Sequence, residues 1–166
     1  MKKLISNLQF TIYKKNERGF TLIELLVVVS LVGILATLVL ANLNAARERG
    51  RDAQRKSDIK SIQNALQLYY NDYGIFPDDN SGGQILGCGV AGTSACTWGE
   101  EWAAGGTKIM GVLPSDPIPG IDYVYQRSSL DGYILTACLE NVSDDDGIAD
   151  GGGIDCDSNW MYQVEQ

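Results

Sequence analysis

From Phe20 to Ala41 almost every position is apolar, and Glu24 is the one charge in the run. A helix needs ~20 such residues to cross a bilayer core, so this stretch is long enough to span one. Beyond it the pattern changes without a break signal. Ile59, Ile62, Leu66, Tyr69 and Tyr73 recur at spacings of three and four, while Ser57, Asp58, Lys60, Gln63, Asn64 and Gln67 fill the other face. That is the stripe of a helix lying on a core. The two patterns together predict one helix from about Thr21 to Asn71, ended by Gly74 and Pro77. Its first half is buried in membrane or among partners, and its second half packs on a head. Gly33 and Gly50 weaken it by ~1 kcal/mol each relative to alanine.

From Asp78 to Gly111 the periodicity is lost and Gly, Ser and Thr dominate. This reads as a loop region pinned by cysteines and by Trp98 and Trp102, with a short helix near Gly99–Ala104. Leu113-Pro114-Ser115-Asp116-Pro117 then punctuates the chain. Asp122–Arg127 and Tyr133–Leu139 read as two strands, with Asp131-Gly132 as the turn signal between them. They predict an antiparallel hairpin lying across the helix.

Charge divides the chain more sharply than its net of −8 conveys. Residues 1–19 hold Lys2, Lys3, Lys14, Lys15 and Arg18 against Glu17, and residues 44–60 hold six basic groups against Glu48, Asp52 and Asp58. From Ser61 onward only Lys108 and Arg127 oppose the acids, so the head is strongly acidic and no nucleic-acid affinity is expected of it. The basic cluster from Arg47 to Lys56 reads as a solvated stretch of helix, or as one that pairs with acidic heads of adjacent subunits.

All four cysteines, Cys88, Cys96, Cys138 and Cys156, lie in the head. An even number in an exported domain reads as two disulfides. Three pairings are open, and Cys88–Cys96 with Cys138–Cys156 is favoured because each closes a local loop. Zinc is disfavoured, since there is no CxxC pair and the chain has no histidine. The lack of histidine also removes every His-dependent triad and His general base. No phosphate-binding or dinucleotide Gly-motif is present. No enzymatic constellation is found.

An ionised carboxylate in hydrocarbon costs roughly 2.5–3.5 kcal/mol even on lenient scales, so Glu24 needs a partner or a task. A signal peptide has a shorter apolar run of ~7–15 residues and small residues at a cut site after it; here the run is too long. The residues GFTLIELLVVVSLVGILA, from Gly19 to Ala36, strongly resemble the N-terminal signature of type IV pilins and type II secretion pseudopilins. The resemblance implies that a membrane prepilin peptidase/methyltransferase cuts between Gly19 and Phe20 and methylates Phe20. It also makes Glu24 the glutamate that pairs with a neighbouring subunit's N-terminal ammonium and fixes register. The absence of a proline in the stem leans toward the pseudopilin branch, and the Leu-Pro-x-Asp-Pro segment at Leu113–Pro117 is similar to one in major pseudopilins.

The expected fold is accordingly α+β and type IV pilin-like. It comprises a leader (1–19), a membrane-spanning or filament-core half-helix (20–43), an amphipathic half-helix (44–74) and a small antiparallel head (75–166). The implied role is a structural subunit of a pilus or secretion pseudopilus that polymerises with itself. It is held first in membrane lipid and then engages an inner-membrane assembly platform. The implied location is the cytoplasmic membrane, with the N-terminus inside and the head exported. The alternative is a minor, tip or DNA-uptake pilin whose head binds a ligand. For the acidic C-terminal segment the family's calcium loop offers one reading, with Asp146, Asp150, Asp155 and Asp157 as hard oxygen ligands. A solvated acidic loop closed by a disulfide is the other.

Overall fold

The computed structural model describes residues 19–151, 154 and 156–166, which fall into two compact units divided between Leu40 and Ala41. Helix α1 runs over Leu22–Tyr73, passing Gly33 and Gly50 because neither meets a proline or a competing cap. It stops at Gly74, whose φ of 74° lies in the left-handed region that an L side chain resists. The Gly74 amide still donates to the Tyr70 carbonyl (2.8 Å), closing the last turn.

In the first unit the apolar side chains of α1 are exposed, from Leu22 through Leu35 and again at Val39 and Leu40. Ser30 and Thr37 satisfy their hydroxyls within the helix, donating to the carbonyls of Leu26 and Ile34 (both 2.8 Å). Such back-bonding suits a helix whose surroundings offer no water.

The second unit is built on the other end of α1. Ile59, Ile62, Leu66 and Tyr69 are buried, the stripe that the spacing predicts except for its last member, Tyr73, which is exposed; the four pack in one core with Phe76, Ile85, Trp102, Leu113, Tyr123, Tyr125, Tyr133 and Leu135. Strands β1 (Asp78–Asp79), β2 (Ile85–Cys88) and β3 (Ser94–Ala95) form one small antiparallel sheet. Strands β4 (Trp102–Ala104) and β5 (Thr107–Met110) form a hairpin around Gly105-Gly106. This corrects the expected helix near 99–104. Paired glycines at φ 57° and 83° turn the chain back on itself, and Trp102 is wholly buried with its indole N–H donating to the Gly87 carbonyl (3.0 Å).

The main sheet holds β6 (Val124–Ser129), β7 (Gly132–Cys138), β8 (Ile148–Ala149) and β9 (Trp160–Glu165), in the order β6-β7-β9-β8. The hairpin of β6 and β7 is the expected one, closed more tightly than its sequence implies by Leu130-Asp131, with Ser129 donating to the Asp131 carboxylate (2.8 Å). Strands β1–β3 replace the loop expected from Asp78 onward, and β8 and β9 are likewise absent from the sequence reading. Strand β9 pairs with β7 from Ile134↔Glu165 to Cys138↔Met161 and carries β8 on its other edge.

Candidate assembly segment and acidic loop

Phe20 is 84% exposed at the head of α1. Immediately after it, Thr21 and Glu24 close on each other. The Thr21 amide donates to Glu24 Oε2 (3.0 Å), the Thr21 hydroxyl donates to the same oxygen (2.8 Å), and the Glu24 amide donates to Thr21 Oγ1 (3.2 Å). This is a capping box, in which side chains at the N-cap and N3 satisfy each other's otherwise orphaned N–H groups. Glu24 therefore has an intrachain task that the reading of its charge alone misses. The signal was present as Thr-x-x-Glu ahead of an apolar run. Gly19 has open space around it, and residues 1–18, the remainder of the expected leader, lie outside the described residues.

Farther along α1 the basic cluster divides: Arg47 and Arg49 are exposed, as the solvated reading expects, while Arg51, Arg55 and Lys56 pair inside the chain. Arg55 is 1% exposed and donates through Nε and Nη2 to Asp116 (2.6 and 2.9 Å), and through Nη1 to Asp52 and Glu140 (both 2.7 Å). Arg51 adds a two-pronged bond to Glu140 (2.7 and 2.5 Å). Asp52 also accepts the amides of Glu140 (3.0 Å) and Asn141 (2.8 Å), so it holds the main chain leaving β7. Hydrogen bonding from Arg51 holds the Glu140 carboxyl down to about 2, against the opposing effect of burial, with Arg55 adding to the same shift. A buried charge on α1 is thereby matched on three sides, the condition under which burial of an ion is tolerable.

The cysteines form Cys88–Cys96 and Cys138–Cys156, and no free cysteine remains among the described residues. The second bridge ties the end of β7 to the segment that follows β8. Between them, Lys56 reaches from α1 to Asp144 (2.5 Å) and Asp146 (2.8 Å). Asp150 accepts from the amides of Ile154 and Cys156 (both 3.4 Å), and Asp157 is exposed. Asp155 lies outside the described residues. Among those described, no three Asp, Glu or Cys side chains gather as a metal-binding group. Of the expected calcium ligands that are described, Asp146 meets Lys56, Asp150 accepts main-chain amides and Asp157 is exposed. Trp160 packs against this loop so closely that a Cβ on Gly147 would stand 1.9 Å from the indole nitrogen.

Comparison with known proteins follows the same division of the chain. Residues 14–40 match the family model for the prokaryotic N-terminal methylation motif. Residues 42–147 match that for type II secretion system protein G. The chain is 31% identical to the type II secretion system core protein G of Vibrio cholerae over 154 residues, covering 90% of this chain and 95% of that protein. It is 35% identical to the Klebsiella pneumoniae core protein G over 109 residues, covering 66% and 74%. With the Escherichia coli core protein G it shares 41% identity over 70 residues, 42% of this chain and about half (48%) of that relative. No solved structure matches. The protein belongs to the type II secretion system protein G family, the major pseudopilins.

Proposed function

We infer that this chain is a structural subunit of a type II secretion pseudopilus, anchored in the inner membrane by α1 before it polymerises with copies of itself. The observation that carries the reading is the first unit of the structure, a run of helix whose apolar side chains are exposed. It lies within the methylation-motif match, residues 14–40, and ahead of the protein G match. Exposed apolar surface on that scale needs a cover. Lipid supplies it to the monomer, and the stems of other copies supply it in a filament.

In this reading the prepilin peptidase/methyltransferase cuts after Gly19 and methylates Phe20, and an inner-membrane platform then draws subunits from the bilayer. The role of the chain is mechanical, and no step of it calls for catalysis by the chain itself. The exposed Gly19-Phe20 junction supports access for cutting. Intact-mass and terminal-peptide spectrometry of protein from native assemblies tests the processing. The expected mature chain starts at Phe20 with one added methyl group. A chain retaining residues 1–19 in the assembled form overturns it.

A further inference from the structure

We propose that Arg47 and Arg49 bind the phosphate groups of membrane phospholipid where α1 leaves the bilayer on its exported side. The contact would belong to the subunit before assembly, and it rests on the reading of α1 as a membrane anchor.

The apolar run ends at Leu43. At a rise of ~1.5 Å per residue, Arg47 stands about 6 Å and Arg49 about 9 Å farther along α1. A bilayer is ~30 Å thick in its hydrocarbon core and ~40–45 Å with its headgroups, which leaves roughly 5–7 Å for the headgroups of one leaflet. Arginine stems are long enough to turn their charged ends back into that layer.

These two side chains are also the ones left over. Arg51, Arg55 and Lys56 each meet carboxylates of the head. Arg47 and Arg49 are exposed, and among the described residues neither forms an ion pair. Glu48 lies between them in sequence, but adjacent helix positions do not face each other, and Glu48 is half-buried.

Direction separates lipid from a docked protein as the partner. Two residues are about 200° of turn at ~3.6 residues per turn, so the two guanidinium groups leave opposite sides of α1. A protein docked on the helix covers one side, whereas a headgroup layer surrounds it and reaches both. The residue type agrees. The planar guanidinium fork matches phosphate oxygens two at a time and is more weakly hydrated than an ammonium. A subunit drawn out of the bilayer must give up these contacts, so they help to set how readily it is extracted.

The test uses the full chain in dodecyl maltoside micelles doped with phosphatidylglycerol or phosphatidylcholine, with bound phospholipid counted by native mass spectrometry. Wild type should retain phosphatidylglycerol over phosphatidylcholine, whose choline cancels the phosphate charge. Arg47→Gln with Arg49→Gln should retain less phosphatidylglycerol, by about 5-fold for each arginine removed. Its melting temperature should match wild type, since neither side chain is paired within the chain. Lys60→Gln is the control. It removes another exposed cation, roughly 25 Å past Leu43, and should retain lipid as wild type does. Equal retention by wild type and the double variant overturns the proposal. So does a loss that Lys60→Gln reproduces, because net charge and not position would then explain it. If the double variant keeps its lipid but fails to assemble, the arginines serve an acidic face of a second copy, and lipid is the wrong partner. Alkaline carbonate washing of membranes keeps the two failures apart. Wild type stripped by it would sink the anchor itself, whereas a resistant wild type with no advantage in retention sinks the lipid contact alone.

Discussion

Arg55 shows how a single side chain can decide whether the head closes on its helix. Its guanidinium is 1% exposed and meets carboxylates of Asp52, Asp116 and Glu140, which come from α1, the segment before β6 and the end of β7. Removing one partner of a buried ionic group leaves the others uncompensated and costs about 3–5 kcal/mol, and here three acids lose their common cation. Arg55→Met should therefore lower unfolding stability by about that amount at neutral pH, measured by denaturant titration. The pH dependence gives a second readout. Glu140 titrates at about 2 in the folded chain against 4.5 when unperturbed. Its depressed pKa means that the stability it contributes is present above pH 4.5 and is lost as pH falls from 4.5 toward 2. In Arg55→Met that acid limb should be shallower, because one source of the depression is gone. A variant with the wild-type acid limb and midpoint would refute the cluster's role.

Among the elements, α1 was legible because its apolar run and its three-and-four stripe are long, and long periodic signals survive local noise. The β6–β7 hairpin was legible from Asp131-Gly132. Strand β9 was not. Trp160-Met161-Tyr162-Gln163-Val164 lies beyond an acidic, glycine-rich segment, and its place in the sheet comes from pairing with β7, which nothing local announces. The hairpin β4–β5 has a local signal in Gly105-Gly106, a two-residue turn pair with positive φ, which the reading of this stretch as loop and short helix passes over. Half of the basic cluster escapes charge counting because the partners of Arg51, Arg55 and Lys56, namely Asp116, Glu140, Asp144 and Asp146, lie far along the chain and are brought to α1 only by the fold. The bridge Cys138–Cys156 belongs to this scale, since it fastens β7 to the segment between β8 and β9 across 18 residues. By restricting the unfolded chain, a loop of that size contributes about 2–4 kcal/mol. Replacing both cysteines with serine should lower stability by that margin and expose 148–158 to protease before the rest of the head. Uniform unfolding of the double variant, with no early cut there, would mean that the sheet alone holds the segment.

For the whole molecule the question is what drives a subunit from lipid into a filament, and Glu24 is where it can be asked. Two tasks are open to that carboxylate. One is the capping box with Thr21, which needs an acceptor at the end of the side chain but not a charge. The other is the proposed pairing with the methylated Phe20 ammonium of a neighbouring copy, which needs the charge. Neither lipid nor a filament core of packed stems offers water, so an ammonium or carboxylate left alone there costs about 3–5 kcal/mol. Glutamine serves an N3 capping position as glutamate does, and Glu24→Gln separates the two tasks. It should insert, lose its leader and fold its head as wild type does, but accumulate as membrane monomer. Mixed with wild type, it should be depleted from sheared filaments relative to the membrane pool. Glu24→Ala should fail in the same way and also fray the first turn of α1, since it loses the acceptor too. If Glu24→Gln assembles filaments of normal length and number on its own while Glu24→Ala does not, the cap is the feature assembly requires. The charge would then play no part in driving subunits out of the membrane.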